Sequence, residues 1–346
     1  MENYQKMKKW FYNGNELEIV DTFNYLGLIL NYNGTFLKTQ KHVADQGRKA
    51  LFSVLRVCNG NFFNIETKLS VFDTYVGSIL SYGSEIWGFH KAADVKKVQS
   101  NFCKRILGVR QTTMHSMIYF ELGRFPLYVI RRIRIFKYWT KLLNTDNKIL
   151  KCCLQDQEAN KSKWIINVRN ELFQMGLGYI WEHRKSCNSS YFKTIKHRIL
   201  DIFKQLCIER ICNSSKGLFY QHFISNFTLQ YYLAKSIPYR YANCISKIRL
   251  SAHNLFIETG RYNSVAKNKR LCKFCDNDDV EDEYHFVLIC KKYKDIRCKY
   301  IKPYYRINPS VYTFIQLLTV HNIKELTNLG KYLSITFESR NKLRQI

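Results

Sequence analysis

The stretch that decides the fold runs from Leu271 to Cys290 and reads LCKFCDNDDVEDEYHFVLIC. Its metal-binding side chains follow the spacing C-x2-C-x9-H-x4-C, and they are Cys272, Cys275, His285 and Cys290. Three thiolates and one imidazole complete a closed tetrahedral zinc shell, which leaves no position for a catalytic water. The spacing therefore predicts a structural zinc site with these four side chains as its ligands.

Turn-forming and acidic residues around the ligands predict the local structure. Residues 276–278 (Asp-Asn-Asp) suit the exit from a tight turn, and the acids at 281–283 favour the start of a helix. Because five residues on an ideal helix end about 140° away from the starting face, His285 and Cys290 do not share a face of a regular helix. We therefore expect His285 to bind from a distorted first turn or from just before the helix.

Other interpretations of the stretch are open. The chain has 12 cysteines, so two unrelated cysteine pairs are the alternative to zinc, and the ordered spacing with a histidine favours zinc. Cys298 is a spare thiol that competes with Cys290 for the fourth position. The six acids between Cys275 and His285 are interpreted as a solvated loop rather than as a second metal site.

The charge of the chain indicates its class of partner. Lysine and arginine outnumber the acids 55 to 27, a net charge of +28, which favours nucleic acid over an anionic membrane surface. The longest apolar candidate, residues 69–89, contains Asp73 and Glu85 and predicts a buried helix rather than a membrane span. The polar N-terminus through Lys9 and the unpaired cysteines predict a nuclear or cytoplasmic protein that is not secreted and has no membrane partner.

The rest of the chain predicts a mainly α fold with a small antiparallel β piece at its N-terminus. Residues 10–20 form a hairpin around Asn13-Gly14, a type I′ turn pair, and residues 23–30 form one further strand. Residues 144–163 are polar and predict a connector. Helices are expected at residues 43–58, 69–86, 95–107, 127–143, 163–176, 191–212, 218–235, 311–318 and 326–343.

Several of these helices combine an apolar stripe with basic residues. In the helix at 127–143, Ile130, Ile133 and Phe136 are expected to face inward, with arginine and lysine outward. A solvated surface is the alternative for such a stripe, but the charge excess over the whole chain favours phosphate contact. The basic run at 291–302 adds tyrosines suited to base stacking. The candidate phosphate contacts are Lys49, Lys104, Arg105, Arg131, Arg134, Lys137, Lys141, Lys291 and Lys292.

The sequence lacks the motifs of common enzyme classes, including phosphate-binding glycine loops and nucleophile elbows. A polymerase needs carboxylates that hold two metal ions, and the one Asp-Asp pair, Asp278-Asp279, lies within the zinc stretch. We therefore expect no catalytic residues and no small-molecule substrate for the chain alone.

Several short stretches together resemble the C-terminal part of non-LTR (LINE-type, jockey-like) retrotransposon reverse transcriptases. Their order and placement across roughly residues 17–300 carry the resemblance, which ends at the C-x2-C…H-x4-C cluster. The stretches are LEIVDTFNYLG (17–27), YGSEIW (82–87), QSNFCKRILGV (99–109), ELGRFPL (121–127), RLSAHNL (249–255) and ETGRY (258–262).

The resemblance implies a thumb-like helical unit, including residues 43–57, that contacts the template–primer duplex. It also implies that the fingers, most of the palm and the catalytic aspartates would lie upstream of Met1. The predicted segments are a palm-edge β piece, the thumb-like domain, a helical connector, the zinc module and a helical tail. They span residues 1–35, 36–143, 144–250, 251–302 and 303–346.

The sequence therefore predicts non-catalytic binding of RNA or an RNA–DNA duplex through basic helices and a structural zinc module. The rival from another class is a zinc-stabilised protein-interaction module whose charge is incidental.

Overall fold

The computed structural model describes residues 9–58, 63–184, 189–224, 226–275 and 277–343. Asp276, one of the predicted turn residues, lies outside this set. The described chain is mainly helical with two small antiparallel hairpins at its N-terminal end, which confirms the predicted fold class. The longer helices are α1 (Leu37–Cys58), α5 (Ala93–Leu107), α6 (His115–Leu122), α7 (Leu127–Leu143), α8 (Lys148–Ala159), α9 (Lys163–Gln174), α11 (Ser189–Cys212), α13 (Tyr239–Arg249), α17 (Val311–Leu318) and α18 (Ile323–Leu343).

Shorter helices connect these elements. They are α2 (Ile65–Val71), α3 (Ser78–Leu80), α4 (Ser84–Trp87), α10 (Gly178–Glu182), α12 (Tyr231–Ala234), α14 (Phe256–Tyr262), α15 (Lys294–Tyr300) and α16 (Pro303–Arg306). Two π-helical turns span Phe72–Gly77 and His285–Ile289, and 3₁₀ turns span Tyr220–Phe223, Lys267–Lys269 and Lys291–Tyr293.

Both hairpins turn on two residues with positive φ. Strands β1 (Phe11–Tyr12) and β2 (Asn15–Glu16) pair around Asn13-Gly14, where φ is 46° and 80°, as a type I′ turn requires. The single strand predicted at 23–30 is wrong. It is a second hairpin of β3 (Thr22–Tyr25) and β4 (Leu28–Asn31), because Leu26 and Gly27 also take positive φ and reverse the chain.

The segment predicted as one helix at 69–86 is buried as expected but is not continuous. Helix α2 passes through the π turn into α3, and the chain then turns at Gly83, whose φ of 60° ends the helical path before α4. Phe72, Val76, Leu80 and Trp87 are fully buried along this path. The interruption lets one apolar segment supply core side chains in two directions.

Two other expectations need correction. The polar connector at 144–163 contains α8, which Asn147 caps by accepting the Ile149 and Leu150 N–H groups, although every α8 side chain stays at least partly exposed. The helix expected at 218–235 is replaced by a 3₁₀ turn, a loop and α12. The reason is tertiary: Tyr220 and Tyr232 both turn into the core to reach one buried carboxylate, Glu121.

Most of the buried apolar side chains in the described part of the chain form one hydrophobic cluster, which extends from Leu28 to Leu333. Within it α1 packs on α5, α7 on α11, and α13 on α18. The predicted segments therefore share one core, and their boundaries stay a prediction. This shared core fixes the stretch from Leu271 to Cys290 and the basic helices in one body.

One half-buried histidine, His115, gives the fold a defined response to acid. The Nε2 atom of His115 lies 2.7 Å from the Ser100 hydroxyl, and burial, together with the nearby Lys104 and Lys96, lowers the pKa of His115 to about 4. Because the unfolded pKa is about 6.5, folding favours the neutral ring. Its contribution to stability is complete above pH 6.5 and is lost as the pH falls toward 4.

We therefore expect the difference in unfolding free energy between wild type and His115→Gln to shrink as the pH falls from about 6.5 to 4. Urea denaturation at a series of pH values measures this difference, with zinc held at the same free concentration. A difference that stays constant with pH, or that grows in acid, would show that the ring does not stay neutral in the folded state.

Candidate metal centre and the predicted nucleic-acid contacts

The first two ligands lie in a short β-like knuckle. Leu271 and Val280 form an antiparallel bridge, and the Cys272 N–H donates to the Asp279 carbonyl at 2.8 Å. Residues 273–275 form a bend directly after Cys272, in line with the tight turn that the C-x2-C spacing predicts. This bridge and bend, which we call the knuckle, present Cys272 and Cys275.

The other two ligands lie at the ends of a π-helical turn. The Cys290 N–H donates to the His285 carbonyl at 2.8 Å, an i to i+5 bond that a regular helix lacks. The Asp282 carboxylate caps this turn by accepting the His285 N–H at 2.8 Å. Because a π-helical turn is wider than an α-helical turn, His285 and Cys290 lie on the same side of it. The distorted turn expected from the spacing is therefore present.

The four side chains converge on one point. Their ligand atoms all lie within 4.8 Å of one another. Cys272 Sγ is 4.0 Å from Cys290 Sγ, and Cys275 Sγ is 3.4 Å from His285 Nε2. Tetrahedral metal bonds of about 2.0–2.3 Å give ligand separations of roughly 3.5–3.8 Å. These side chains are therefore placed to hold a metal ion, and their donor set fits the zinc expected from the sequence.

The rival fourth ligand is not part of the cluster. Cys298 lies exposed on α15, where its Sγ is 3.4 Å from the Arg306 guanidinium. By contrast, Cys290 is 1% exposed and His285 is 3% exposed. The structure thus brings together the predicted set and leaves the spare thiol outside it.

The thiols strongly affect one another's protonation. The Cys290 thiol, with burial, raises the pKa of Cys272 to about 12, whereas the same contact lowers the pKa of Cys290. The Cys290 thiol therefore loses its proton before the Cys272 thiol does. Metal ligation requires deprotonated sulfurs, so binding releases protons and weakens as the pH falls.

A second layer of contacts supports the ligands. Asp279 Oδ2 lies 3.3 Å from His285 Nδ1, the ring nitrogen that faces away from the cysteines, although without the alignment of a hydrogen bond. A carboxylate at this nitrogen orients a metal-bound imidazole. Arg297 donates to the carbonyls of Val287 and Cys290 at 2.8 and 2.7 Å. This arginine was expected in the phosphate-binding run, but it is buried and braces the metal site instead.

The acidic residues of the stretch are not all solvated, contrary to expectation. Glu281 is 2% exposed and forms a two-bond pair with Arg340 of α18 at 2.7 and 2.6 Å. Glu283 is 4% exposed and accepts bonds from Ser251 and His253. Buried carboxylates need such partners. Glu281 and Glu283 therefore connect the metal-binding stretch to the surrounding helices. The sequence alone does not predict this role.

Two of the predicted phosphate contacts, Lys104 and Arg131, are buried, so neither is placed to touch a duplex that lies on the outer surface. Lys104 is 4% exposed and donates to the Gln111 carbonyl, and Arg131 is 3% exposed with its guanidinium carbon 5.2 Å from the Trp87 ring centre. The predicted inward position of Phe136 is confirmed, because this side chain is fully buried. Ile130 and Ile133 are only partly buried, and the inner face is completed by Leu127, Arg131 and Ile135 instead.

A third predicted contact is engaged within the protein. Arg134 is partly exposed, and its Nε lies 2.9 Å from the Glu85 carboxylate, so its charge is already compensated. The remaining candidates are exposed at the surface, as the prediction requires. They are Lys49, Arg105, Lys137, Lys141, Lys291 and Lys292.

The structure adds a basic stripe that the sequence analysis named only in part. The α1 stripe consists of Lys38, Lys41, Lys49 and Arg56, which are all exposed on the face opposite Val43 and Leu51. None of the four forms an ion pair with a described residue. Successive members of the α1 stripe are three, eight and seven residues apart, and this helical spacing could have predicted the stripe from the sequence.

No protein-family model, curated protein or solved structure matches this chain. Among the described residues, no helix combines the length and the apolar character needed to cross a bilayer.

Proposed function

We propose that this protein binds the phosphate backbone of RNA or an RNA–DNA duplex without catalysis, and that its Cys3His site holds a structural zinc ion. The observation that carries the proposal is the α1 stripe, because four uncompensated cations on one helix are a recurrent way to bind a phosphate backbone. The resemblance to the rear part of non-LTR reverse transcriptases stays a prediction, and it is the reason to test an RNA–DNA duplex first.

The chemistry of the ligands supports zinc as the metal. Three sulfurs and one imidazole nitrogen are soft and borderline donors, which favour zinc over the oxygen-seeking magnesium and calcium ions. Three of the four ligands are buried, and all are supplied by the protein. Such a closed set has no position for substrate, which supports a structural role.

The geometry of α1 supports backbone binding. Lys38 and Arg56 are 18 residues apart, which corresponds to about 27 Å along the helix. The opposite face of α1 packs against α5, with Val43, Ala44 and Leu51 buried. A rigid row of cations of this length spans several phosphates of a duplex, so it favours affinity over base discrimination.

Internal ion pairs leave the net charge at the surface unchanged, because each pair buries one cation together with one anion. Several acids, among them Glu121, Glu281 and Glu283, are buried against arginine or histidine partners. Those carboxylates are therefore unavailable to screen the exposed lysines. The net charge of +28 therefore produces a positive potential at the surface, and this potential speeds the approach of polyanions.

We expect the combined variant Lys38→Gln, Lys41→Gln, Lys49→Gln and Arg56→Gln to weaken binding to an RNA–DNA duplex. The slope of log affinity against log salt should fall by about 0.9 for each phosphate contact removed on duplex DNA, with a similar order on other duplexes. Helix α1 should stay folded because glutamine is a good helix former. Fluorescence anisotropy from 50 to 300 mM salt measures the slope, and circular dichroism checks the fold.

The matched control removes the same charge elsewhere. Lys148, Lys151, Lys193 and Lys196 are exposed on α8 and α11, and their replacement with Gln should change the slope less. Equal loss in both variants would mean that only net charge matters, and it would remove α1 as the binding surface.

A specific feature also supports the rival function of protein interaction. The two hairpins expose large apolar side chains, including Trp10 at 62%, Tyr12 at 69% and Leu26 at 73%, and such patches mark interaction surfaces. If the zinc-loaded protein shows no salt-dependent binding to RNA, DNA or their hybrid, this rival becomes the better proposal.

A further inference from the structure

A cavity of about 510 Å³ lies where the start of α7 meets the segment around α5 and the side of α9. It is separate from the α1 stripe, which contributes no residue to its lining. Its wall contains four cations, Lys91, Lys96, Arg131 and Arg132, and one carboxylate, Glu171. The cavity therefore has an excess of positive charge.

Arg131 is the unusual member of this wall. It is 97% buried, since 3% of its surface is exposed, and its Nε and Nη1 have no hydrogen-bond partner among the described residues. Its carbon Cζ lies 5.2 Å from the Trp87 ring centre, which does not replace hydrogen bonds. A buried charge without a partner is strongly unfavourable, so its retention calls for a compensating anion.

The protein does not supply that anion from the cavity wall. Arg132 already holds Glu171, through Nε at 3.0 Å and Nη2 at 2.7 Å. Lys91 and Lys96 are exposed at the rim and add positive charge. An anion that enters the cavity would thus meet one uncompensated guanidinium and two free ammonium groups.

We propose that this cavity binds the phosphate group of a nucleotide or of a nucleic-acid strand end, with Arg131 as the main ligand. A guanidinium matches phosphate because two of its N–H groups reach two oxygens. The Nε and Nη1 atoms are shielded from solvent, and we expect the guanidinium to turn toward the cavity when the anion binds. Phe89 and Tyr128 line the same space and offer aromatic surface to a base.

The test uses the 346-residue chain, loaded with zinc, and four probes. They are inorganic phosphate, adenosine 5′-monophosphate, and one short oligonucleotide with either a 5′-phosphate or a 5′-hydroxyl end. We expect at least one phosphate probe to raise the thermal midpoint and to bind in calorimetry. A response to inorganic phosphate or mononucleotide identifies a free ligand, whereas a response that requires the 5′-phosphate of the oligonucleotide identifies a strand end.

The decisive variant is Arg131→Met, which keeps the length of the side chain and removes its charge. We expect it to weaken phosphate binding about tenfold or more, and to raise the thermal midpoint without ligand because an unpaired buried charge is gone. The matched control, Arg134→Met on the same helix, breaks the partly exposed pair with Glu85 and should leave phosphate binding unchanged, because Arg134 does not line the cavity.

A second variant keeps the proposal testable if Arg131→Met does not fold. Lys91→Gln with Lys96→Gln alters exposed side chains only, so it should fold and should weaken phosphate binding. Failure of all probes to bind, or equal binding by wild type and both cavity variants, would overturn the proposal. The duplex-binding function is tested separately by the α1 variant, because α1 does not line the cavity.

Discussion

Purified Cys275→Ser protein is expected to lose its stoichiometric zinc and the ordered packing of residues 270–300. Structural zinc contributes about 10–16 kcal/mol of apparent binding free energy in small zinc-finger peptides, and Cys275 lies 3.4 Å from His285 at the centre of the cluster. Metal analysis measures the zinc, and hydrogen exchange with mass spectrometry measures the packing. Amide protection should fall across the knuckle and the π-helical turn.

Cys298→Ser is the control for this variant. It removes a thiol from the same part of the chain, but Cys298 is exposed and outside the cluster. It should retain one zinc per chain and wild-type protection. If Cys275→Ser keeps its zinc, or if wild-type protein binds none from a zinc-buffered solution, the ligand assignment fails.

The second large effect is expected from Glu121→Gln. Glu121 is fully buried, and it accepts bonds from Arg249 at 2.6 and 3.3 Å and from the hydroxyls of Tyr220 and Tyr232. Neutralising the carboxylate leaves the Arg249 charge buried without its counter-ion, which costs about 3–5 kcal/mol. Urea denaturation should show this as a lower transition midpoint with an unchanged slope.

Two comparisons make the result specific. Glu338→Gln removes an exposed carboxylate that pairs with Arg240 on the surface, and should cost less than about 1 kcal/mol. The double variant Glu121→Gln with Arg249→Met removes both charges and should recover part of the loss. A loss from Glu121→Gln no larger than that from Glu338→Gln would contradict a structural role for the buried pair.

Local patterns predicted the metal site well because its geometry is mostly local. The four ligands lie within 19 residues of one another, and a tight turn followed by a distorted helical turn suffices to bring them together. The supporting shell was not predictable in the same way. Glu281 meets Arg340 across 59 residues, and Glu121 meets Arg249 across 128 residues, and no periodicity encodes such distances.

The errors on α7 have a physical origin in its composition. The helix carries apolar residues on more than one face, with Ile130, Ile133 and Ile135 close together in sequence. The apolar periodicity therefore favours two faces of α7 almost equally as the inner face. In the structure, α7 packs against α4 and α11 with the face that buries Arg131. A basic residue on a buried face is rare enough that sequence patterns predict it to be exposed.

The short stretches that carry the resemblance also have a structural role. The stretch at 121–127 provides Glu121, and the stretch at 249–255 provides Arg249, Ser251 and His253, which all bind buried carboxylates or act as their partners. These stretches therefore hold the core together by ionic contacts. Their residues explain folding in this chain, whether or not the resemblance to reverse transcriptases reflects descent.

The pair between Glu281, which directly follows the knuckle, and Arg340 of α18 links metal binding to the stability of the C-terminal helices. Because α18 packs along α13, a metal ion held by the knuckle stabilises helices that do not touch it. By mass action, each tenfold rise in free metal above the dissociation constant adds about 1.4 kcal/mol to the folded state. If the site holds a metal ion, as we propose, metal scarcity would expose these helices to proteases, and the lifetime of the protein would follow the concentration of that metal.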